Sequence, residues 1–141
     1  MRTRLATAAA LGLVMLLATG GTALAKPVKA KASIQEGSEC FRTDPNGAIL
    51  GTVTFKRTRE FISLTAVLKG ALPDHEYTVT LMHAIESGCS SGKFGRFTTN
   101  KRGNGRVTVS EHRPLGETQF AVIVAASFDE VVGGTPYVSL P

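Results

Sequence analysis

Three histidines and their acidic neighbours are the side chains that could hold a transition metal. The candidate ligands are His75, His83, His112, Asp74, Glu76 and Glu86. Imidazole and carboxylate groups are ordinary ligands of zinc, copper and iron. His83 and Glu86 are close enough in sequence to approach each other, and His75 lies in the preceding turn. No spacing here matches a known metal motif, and scattered surface histidines explain the pattern equally well, so we expect no metal and no cofactor.

The sequence gives no complete motif of a nucleophilic or acid–base enzyme. Gly88-Cys89-Ser90-Ser91-Gly92 matches Gly-x-Ser-x-Gly, but a strand and not a helix is predicted after it, so the strand–turn–helix elbow is absent. No pair of carboxylates stands out as a glycosidase constellation. The stretch from Gly88 to Lys93 superficially resembles a phosphate-binding loop. It has three residues between its glycines where that loop has four, and Phe94 stands where Ser or Thr would bind magnesium. We therefore expect a protein without enzymatic activity.

One segment has a strongly uneven charge. Residues 87–110 contain no acidic side chain and five basic ones, Lys93, Arg96, Lys101, Arg102 and Arg106. Alternate positions of a hairpin share a face, so these residues would form a basic patch that contacts a wall polymer, a lipid headgroup layer or an acidic protein. A solvated hairpin that resists edge-to-edge aggregation is the simpler interpretation. From Ser33 onward the chain has eleven basic and eleven acidic residues, which gives no support for nucleic-acid binding.

The first 25 residues have the three parts of a secretory signal peptide. Arg2 and Arg4 precede the apolar stretch 5–18, and Ala23-Leu24-Ala25 supplies a small-x-small cleavage site. An uncleaved anchor is the alternative, but the apolar stretch is shorter than the roughly 20 residues that span a bilayer. We expect cleavage after Ala25, export from the cell, and no transmembrane segment in the mature chain.

After a Lys/Ala-rich tail, residues 26–32, a single domain is expected over residues 33–141.

Export from the cell also bears on the state of the two cysteines. Cys40 and Cys89 are an even pair in an exported chain, which favours one disulfide. Such a bond closes a loop of about 50 residues and stabilises the fold by about 4 kcal/mol in the chain-entropy model. Two free thiols are the alternative.

The domain itself has the pattern of short β-strands. Apolar and polar residues alternate in 49–56 and 62–69, whereas 120–126 is apolar at every position, as in a strand buried on both faces. Further strands are predicted at 34–41, 77–82, 93–98, 106–110 and 137–140. The Gly/Ser stretch 87–92 is predicted to be a loop, and Gly133-Gly134 is predicted to interrupt the chain.

Such a set of strands can bury its apolar faces as two sheets packed face to face or as a closed barrel. We favour an all-β, two-sheet antiparallel sandwich of seven to eight strands with one disulfide.

A short motif supports the sandwich. Leu72-Pro73-Asp74-His75-Glu76-Tyr77 resembles the E–F corner of fibronectin type III and other immunoglobulin-like domains. The resemblance implies that Leu72, Pro73 and Tyr77 form a structural corner in which the Tyr77 hydroxyl bonds back to the backbone of the turn. It implies no activity.

The order of Gly51-Thr52-Val53-Thr54-Phe55, the Leu-Pro turn and Gly88-Cys89-Ser90-Ser91-Gly92 is similar in outline to copper/zinc superoxide dismutases. The strand after the turn, Thr78 to His83, lacks the His-x-His that the family's copper site requires. The resemblance therefore implies the architecture without the metal chemistry.

Three hypotheses about the function of this protein follow, and each belongs to a different functional class. The favoured one is a secreted, non-enzymatic domain that binds a surface or a macromolecule. Secreted immunoglobulin-like proteins that carry small apolar ligands have a similar size and strand order, so a carrier is the second hypothesis. A metal-dependent enzyme of superoxide dismutase-like architecture is the third.

Overall fold

In a computed structural model, the described residues form an all-β protein. They are residues 26–38, 42, 44–86, 88–112, 117–127 and 130–141, and they include nine strands and no helix. The expected signal peptide and Cys40 lie outside these residues. Within the described part of the chain, no helix has the length and apolar character needed to cross a bilayer.

Nine strands make up the sheet. They are β1 (Val28–Glu36), β2 (Ile49–Arg57), β3 (Phe61–Leu68), β4 (Glu76–Ile85), β5 (Gly88–Thr98), β6 (Gly105–His112), β7 (Gln119–Ser127), β8 (Glu130–Gly134) and β9 (Val138–Ser139). The predicted number was seven to eight. The extra strand is β8, whose Gly133 and Gly134 pair with β1 and β7 where a break in the chain was expected.

All recorded strand pairs are antiparallel and belong to one sheet. The strand order is β5-β4-β7-β8-β1-β2-β3-β6, and β9 pairs with β7 outside this path. The two-sheet immunoglobulin-like arrangement is therefore not what the hydrogen bonds describe. The barrel that the sequence left open as an alternative is the nearer description, because β1 and β8 pair and join the two halves of the path.

The sheet curls until its two end strands meet. Gly95 on β5 is so close to β6 that an added Cβ atom would lie 2.8 Å from Val107 and 2.9 Å from Val109. Among the described residues, however, no ladder of backbone pairs joins β5 to β6. The molecule is thus nearly a barrel, with one seam between β5 and β6 that side chains close.

The interior is filled by the apolar positions of alternating strands. Val53 and Phe55 of β2 face Leu81 of β4 and Phe120 of β7 in one core, and all four are completely buried. Burial of each such side chain stabilises the fold by about 1.5–3 kcal/mol. The period-two pattern that predicted the central strands therefore also fixes which face of each strand lies inside.

Three predicted boundaries differ from the structure. β1 begins at Val28, within the expected tail, because Ala30 and Ala32 pack against the core while Lys29 and Lys31 remain exposed. The same strand ends at Glu36 and does not extend to residue 41. The stretch expected as a Gly/Ser loop lies largely in β5, whose residues 88–91 pair with residues 82–85 of β4.

Candidate functional site

The outer surface of β1, β2, β3 and β6 consists largely of polar side chains. Its strands are adjacent in the sheet and in continuous register, so their outward side chains form straight rows. One row is Lys29–Lys56–Ser63–Ser110, the next is Lys31–Thr54–Thr65–Thr108, and the third is Ser33–Thr52–Val67–Arg106. We call this surface the basic face.

All the charged side chains in the three rows of the basic face are positively charged. Lys29, Lys31, Lys56 and Arg106 are exposed on it, and none of its three rows contains a carboxylate. Glu111 of β6 points to the other side of the strand, opposite the buried Ile62. Because adjacent strands lie about 4.8 Å apart, the rows extend about 14 Å from β1 to β6.

Two of these cations are directly opposed. Lys29 of β1 pairs with Lys56 of β2, and Lys31 follows on the same face of β1. Opposite residues of an antiparallel pair have Cβ atoms about 4.5–5.5 Å apart, and like charges in this position are destabilising. The described residues include no carboxylate that forms a salt bridge with any of the three lysines.

Hydroxyl groups fill all but one of the remaining positions of the three rows, and Val67 occupies that one. Thr65 and Thr108 share a hydrogen bond of 3.0 Å between their Oγ1 atoms. Ser63 donates to the backbone carbonyl of Lys56 at 3.4 Å. These bonds fix the hydroxyl positions, so the face presents cations and hydroxyls on a rigid sheet.

The five basic residues singled out by the sequence lie on β5, on β6 and in the turn between them. All five are exposed, and although β5 and β6 meet at the seam, no backbone ladder pairs them as a hairpin among the described residues. Arg106 belongs to the basic face, and Lys101 and Arg102 lie in the turn beside it. Lys93 and Arg96 lie on β5, where the Arg96 guanidinium sits over the Phe94 ring at 5.6 Å.

A second group of charges is buried at the seam. His83 of β4 has its Nε2 paired with Glu111 of β6 and its Nδ1 2.6 Å from a carboxylate oxygen of Glu117. The His83 ring also meets the Phe120 ring edge to face, with centroids 5.4 Å apart.

Glycine makes room for this cluster. A Cβ atom at Gly92 of β5 would overlap the His83 ring and would lie 2.7 and 2.8 Å from the two Glu111 carboxylate oxygens. The neighbouring backbone N–H of Lys93 donates to Glu111 at 2.7 Å. Glu111 thus connects β6 to both β4 and β5.

The structure separates the residues that were considered as candidate metal ligands. His83 meets Glu111 and Glu117 and not Glu86, which is exposed. Those two glutamates lie at opposite ends of the imidazole, so they cannot share one ion with it. Among the described residues, no three His, Cys, Asp or Glu side chains form a group suited to a metal.

The other two histidines have aromatic neighbours. His75 packs edge to face against Tyr77, with centroids 5.2 Å apart, and His112 does the same against Phe61 at 5.6 Å. Asp74, which also belonged to the candidate set, lies in the turn before β4 with a positive φ of 49°.

The corner residues are held by the Tyr77 hydroxyl. This oxygen accepts a hydrogen bond of 3.2 Å from the backbone N–H of Leu72, while the Tyr77 ring is buried and stacks on Phe97. Thr99 hydrogen-bonds the Leu72 carbonyl from the other side. Leu72 and Pro73 themselves are exposed.

Cys89 lies on the outer surface of the sheet, away from the core. It packs with Met82, Ala121, Ile123 and Tyr137 in a small separate apolar cluster. The Tyr137 hydroxyl donates to the Gly88 carbonyl at 3.3 Å, and burial raises the pKa of this hydroxyl above its ordinary value of 10.0.

Comparison with known proteins gives little. No protein-family model matches the chain, and no curated protein matches it. A β-glucosidase from Kluyveromyces marxianus, solved in complex with glucose, is similar to 67% of this chain at 11% identity with a TM-score of 0.46. The chain spans only 15% of the length of that structure.

Proposed function

We propose that this chain is a secreted, non-enzymatic protein that binds a linear anionic polymer outside the cell through the basic face. The observation that carries the proposal is that each of three adjacent rows carries at least one cation and none carries a carboxylate. The cations are Lys29 and Lys56 in the first row, Lys31 in the second and Arg106 in the third. Several weak ion pairs on one rigid surface add to a useful affinity, although each exposed pair contributes only about 0.2–1 kcal/mol.

A polymer suits the basic face better than a membrane. Lys29, Lys31 and Lys56 lie on β1 and β2, and Arg106 lies on β6, about 14 Å from β1 across the sheet. Hydroxyls occupy most of the positions between them, and Val67 is the one apolar residue of the three rows. Membrane-binding surfaces insert apolar side chains between lipids, whereas hydroxyls and lysines hydrogen-bond an anionic chain.

The experiment uses two variants with the same change in net charge. Lys29→Glu/Lys56→Glu alters the basic face, and Lys93→Glu/Arg96→Glu alters β5 at the other end of the sheet order. Binding of long-chain polyphosphate to the purified chain, measured by titration at several salt concentrations, should fall at least about fivefold for the first variant. It should remain close to the parent for the second.

Three outcomes contradict the proposal. Loss of binding only in Lys93→Glu/Arg96→Glu would assign binding to β5. Equal retention in both variants would remove the basic face from the function. Binding to vesicles that contain anionic lipid, without binding to polyphosphate, would indicate a membrane ligand.

We propose further that Cys40 and Cys89 form a disulfide and that the sheet works as two layers packed back to back. No cysteine among the described residues is free, and the sequence contains only these two. The two-layer description is supported by the core, where β2 and β3 pack against β4 and β7. Fully buried Phe55 of β2 and Phe120 of β7 belong to this core.

A further inference from the structure

We infer that Lys29, Lys31 and Lys56 form a subsite for a tetrahedral oxyanion, a phosphate or sulfate group of the polymer. This inference rests on the proposed function and names the ligand chemistry of the same face. The three ammonium groups project from a triangle whose short side is the directly opposed pair Lys29–Lys56. The side of the triangle from Lys29 to Lys31 runs along β1. It is about 6.8 Å long, which is the rise of two residues of an extended strand.

The opposed pair points to a ligand because it is unfavourable by itself. Two lysines directly across a ladder repel each other, and no acidic residue of the described chain forms a salt bridge with either of them. A doubly charged anion placed between the two ammonium groups converts this repulsion into two attractive pairs. A site that is destabilising when empty and favourable when filled is typical of a functional surface.

Lysines select the shape of the anion. A planar carboxylate is matched by the two parallel N–H groups of an arginine, whereas an ammonium group is a point charge with three rotatable donors. Three such points around one anion suit a group whose oxygens point in several directions. Thr54, which is opposite Lys31 in the register, adds a hydroxyl at the edge of the triangle.

The test compares pyrophosphate with malonate at matched ionic strength, using the unfolding midpoint and calorimetric titration of the purified chain. We expect pyrophosphate, and not malonate, to raise the midpoint of the parent. In Lys56→Gln the midpoint without added anion should rise, because the repulsion with Lys29 is gone, while pyrophosphate binding should weaken about two- to fivefold. Lys69→Gln is the matched control. It removes an exposed lysine just after β3 and should change neither quantity.

The results separate the two claims. If malonate stabilises the parent as well as pyrophosphate does, or if Lys56→Gln keeps the full pyrophosphate response, the subsite is wrong even if polyphosphate still binds the face. If polyphosphate does not bind at all, the proposed function fails as well. Stronger binding of a sulfated polysaccharide than of polyphosphate would assign the oxyanion to sulfate.

Discussion

The imidazole of His83 on β4 forms an ion pair with the carboxylate of Glu111 on β6, across a seam where no backbone ladder joins β5 to β6 in the described chain. β4 and β6 lie near opposite ends of the strand order, so this contact closes the curled sheet. The Glu111 carboxylate also accepts a hydrogen bond from the backbone N–H of Lys93 on β5. The near-barrel is therefore held at its seam by side chains.

Removing the Glu111 carboxylate should weaken the whole fold. We expect Glu111→Ala to lower the free energy of unfolding by about 2–3 kcal/mol, because it leaves His83 without one buried partner and the Lys93 N–H without its acceptor. Urea denaturation measures the change. Glu76→Ala, at an exposed position of β4, is the control and should have little effect. Equal stability of both variants would show that the seam does not depend on this contact.

Gly92 should tolerate no side chain. We expect Gly92→Ala to lower the free energy of unfolding by about 1–3 kcal/mol, because the added methyl group overlaps His83 and Glu111 in a packed cluster. Thermal denaturation checks this against Ser91→Ala at the exposed neighbouring position. A Gly92→Ala protein as stable as the parent would contradict the close packing of the cluster.

The Tyr77 hydroxyl can be removed without disturbing its ring. We expect Tyr77→Phe to cost about 1 kcal/mol, since the Leu72 N–H loses its acceptor while stacking on Phe97 is kept. Tyr77→Ala, which also empties a buried position, should cost about 3–5 kcal/mol. Denaturant titration of the two variants separates the hydrogen bond from the packing, and equal losses would show that the hydroxyl contributes nothing.

The raised pKa of Tyr137 predicts a change in the free energy of unfolding at high pH. Burial raises the pKa of this hydroxyl in the folded chain, so the folded state favours the protonated phenol. The contribution of this hydroxyl to the free energy of unfolding is complete below 10.0, the pKa of the unfolded chain. It is lost as the pH rises through the higher pKa of the folded chain. Between about pH 9 and about pH 11, the parent should therefore lose more stability than Tyr137→Phe. Parallel pH profiles of the two proteins would contradict the prediction.

The disulfide is tested by chemistry and by substitution. If Cys40 pairs with Cys89, Cys40→Ser should lower the free energy of unfolding by a few kcal/mol, up to about 4 for a loop of this length. Reduction of the parent should produce the same loss, and reductant should not affect the variant. Thiol titration of the denatured parent should find no free sulfhydryl, and two free groups would refute the pairing.

Residue types and their alternation were enough to predict an all-β chain with most of its strands. Segments 49–56 and 62–69 alternate at most of their positions, and a period of two assigns each side chain to one face of a strand wherever that strand lies. β1 was missed in part because Ala30 and Ala32 are weak signals between lysines. β8 was missed because glycines normally weaken a strand, whereas here they allow close approach to β1 and β7.

The site depended on which strands become neighbours, and the sequence by itself does not contain that information. Lys29, Lys56 and Arg106 are far apart in the chain, and they share a face only because β1, β2, β3 and β6 are adjacent and in register. In the same way, the sequence suggested that His83 could approach Glu86, which is close to it in the chain. The curl of the sheet instead brings Glu111 to His83 across the seam. Local pattern determined the strands and their buried faces, whereas pairing and curvature, which bring together residues distant in the chain, determined the charged surfaces.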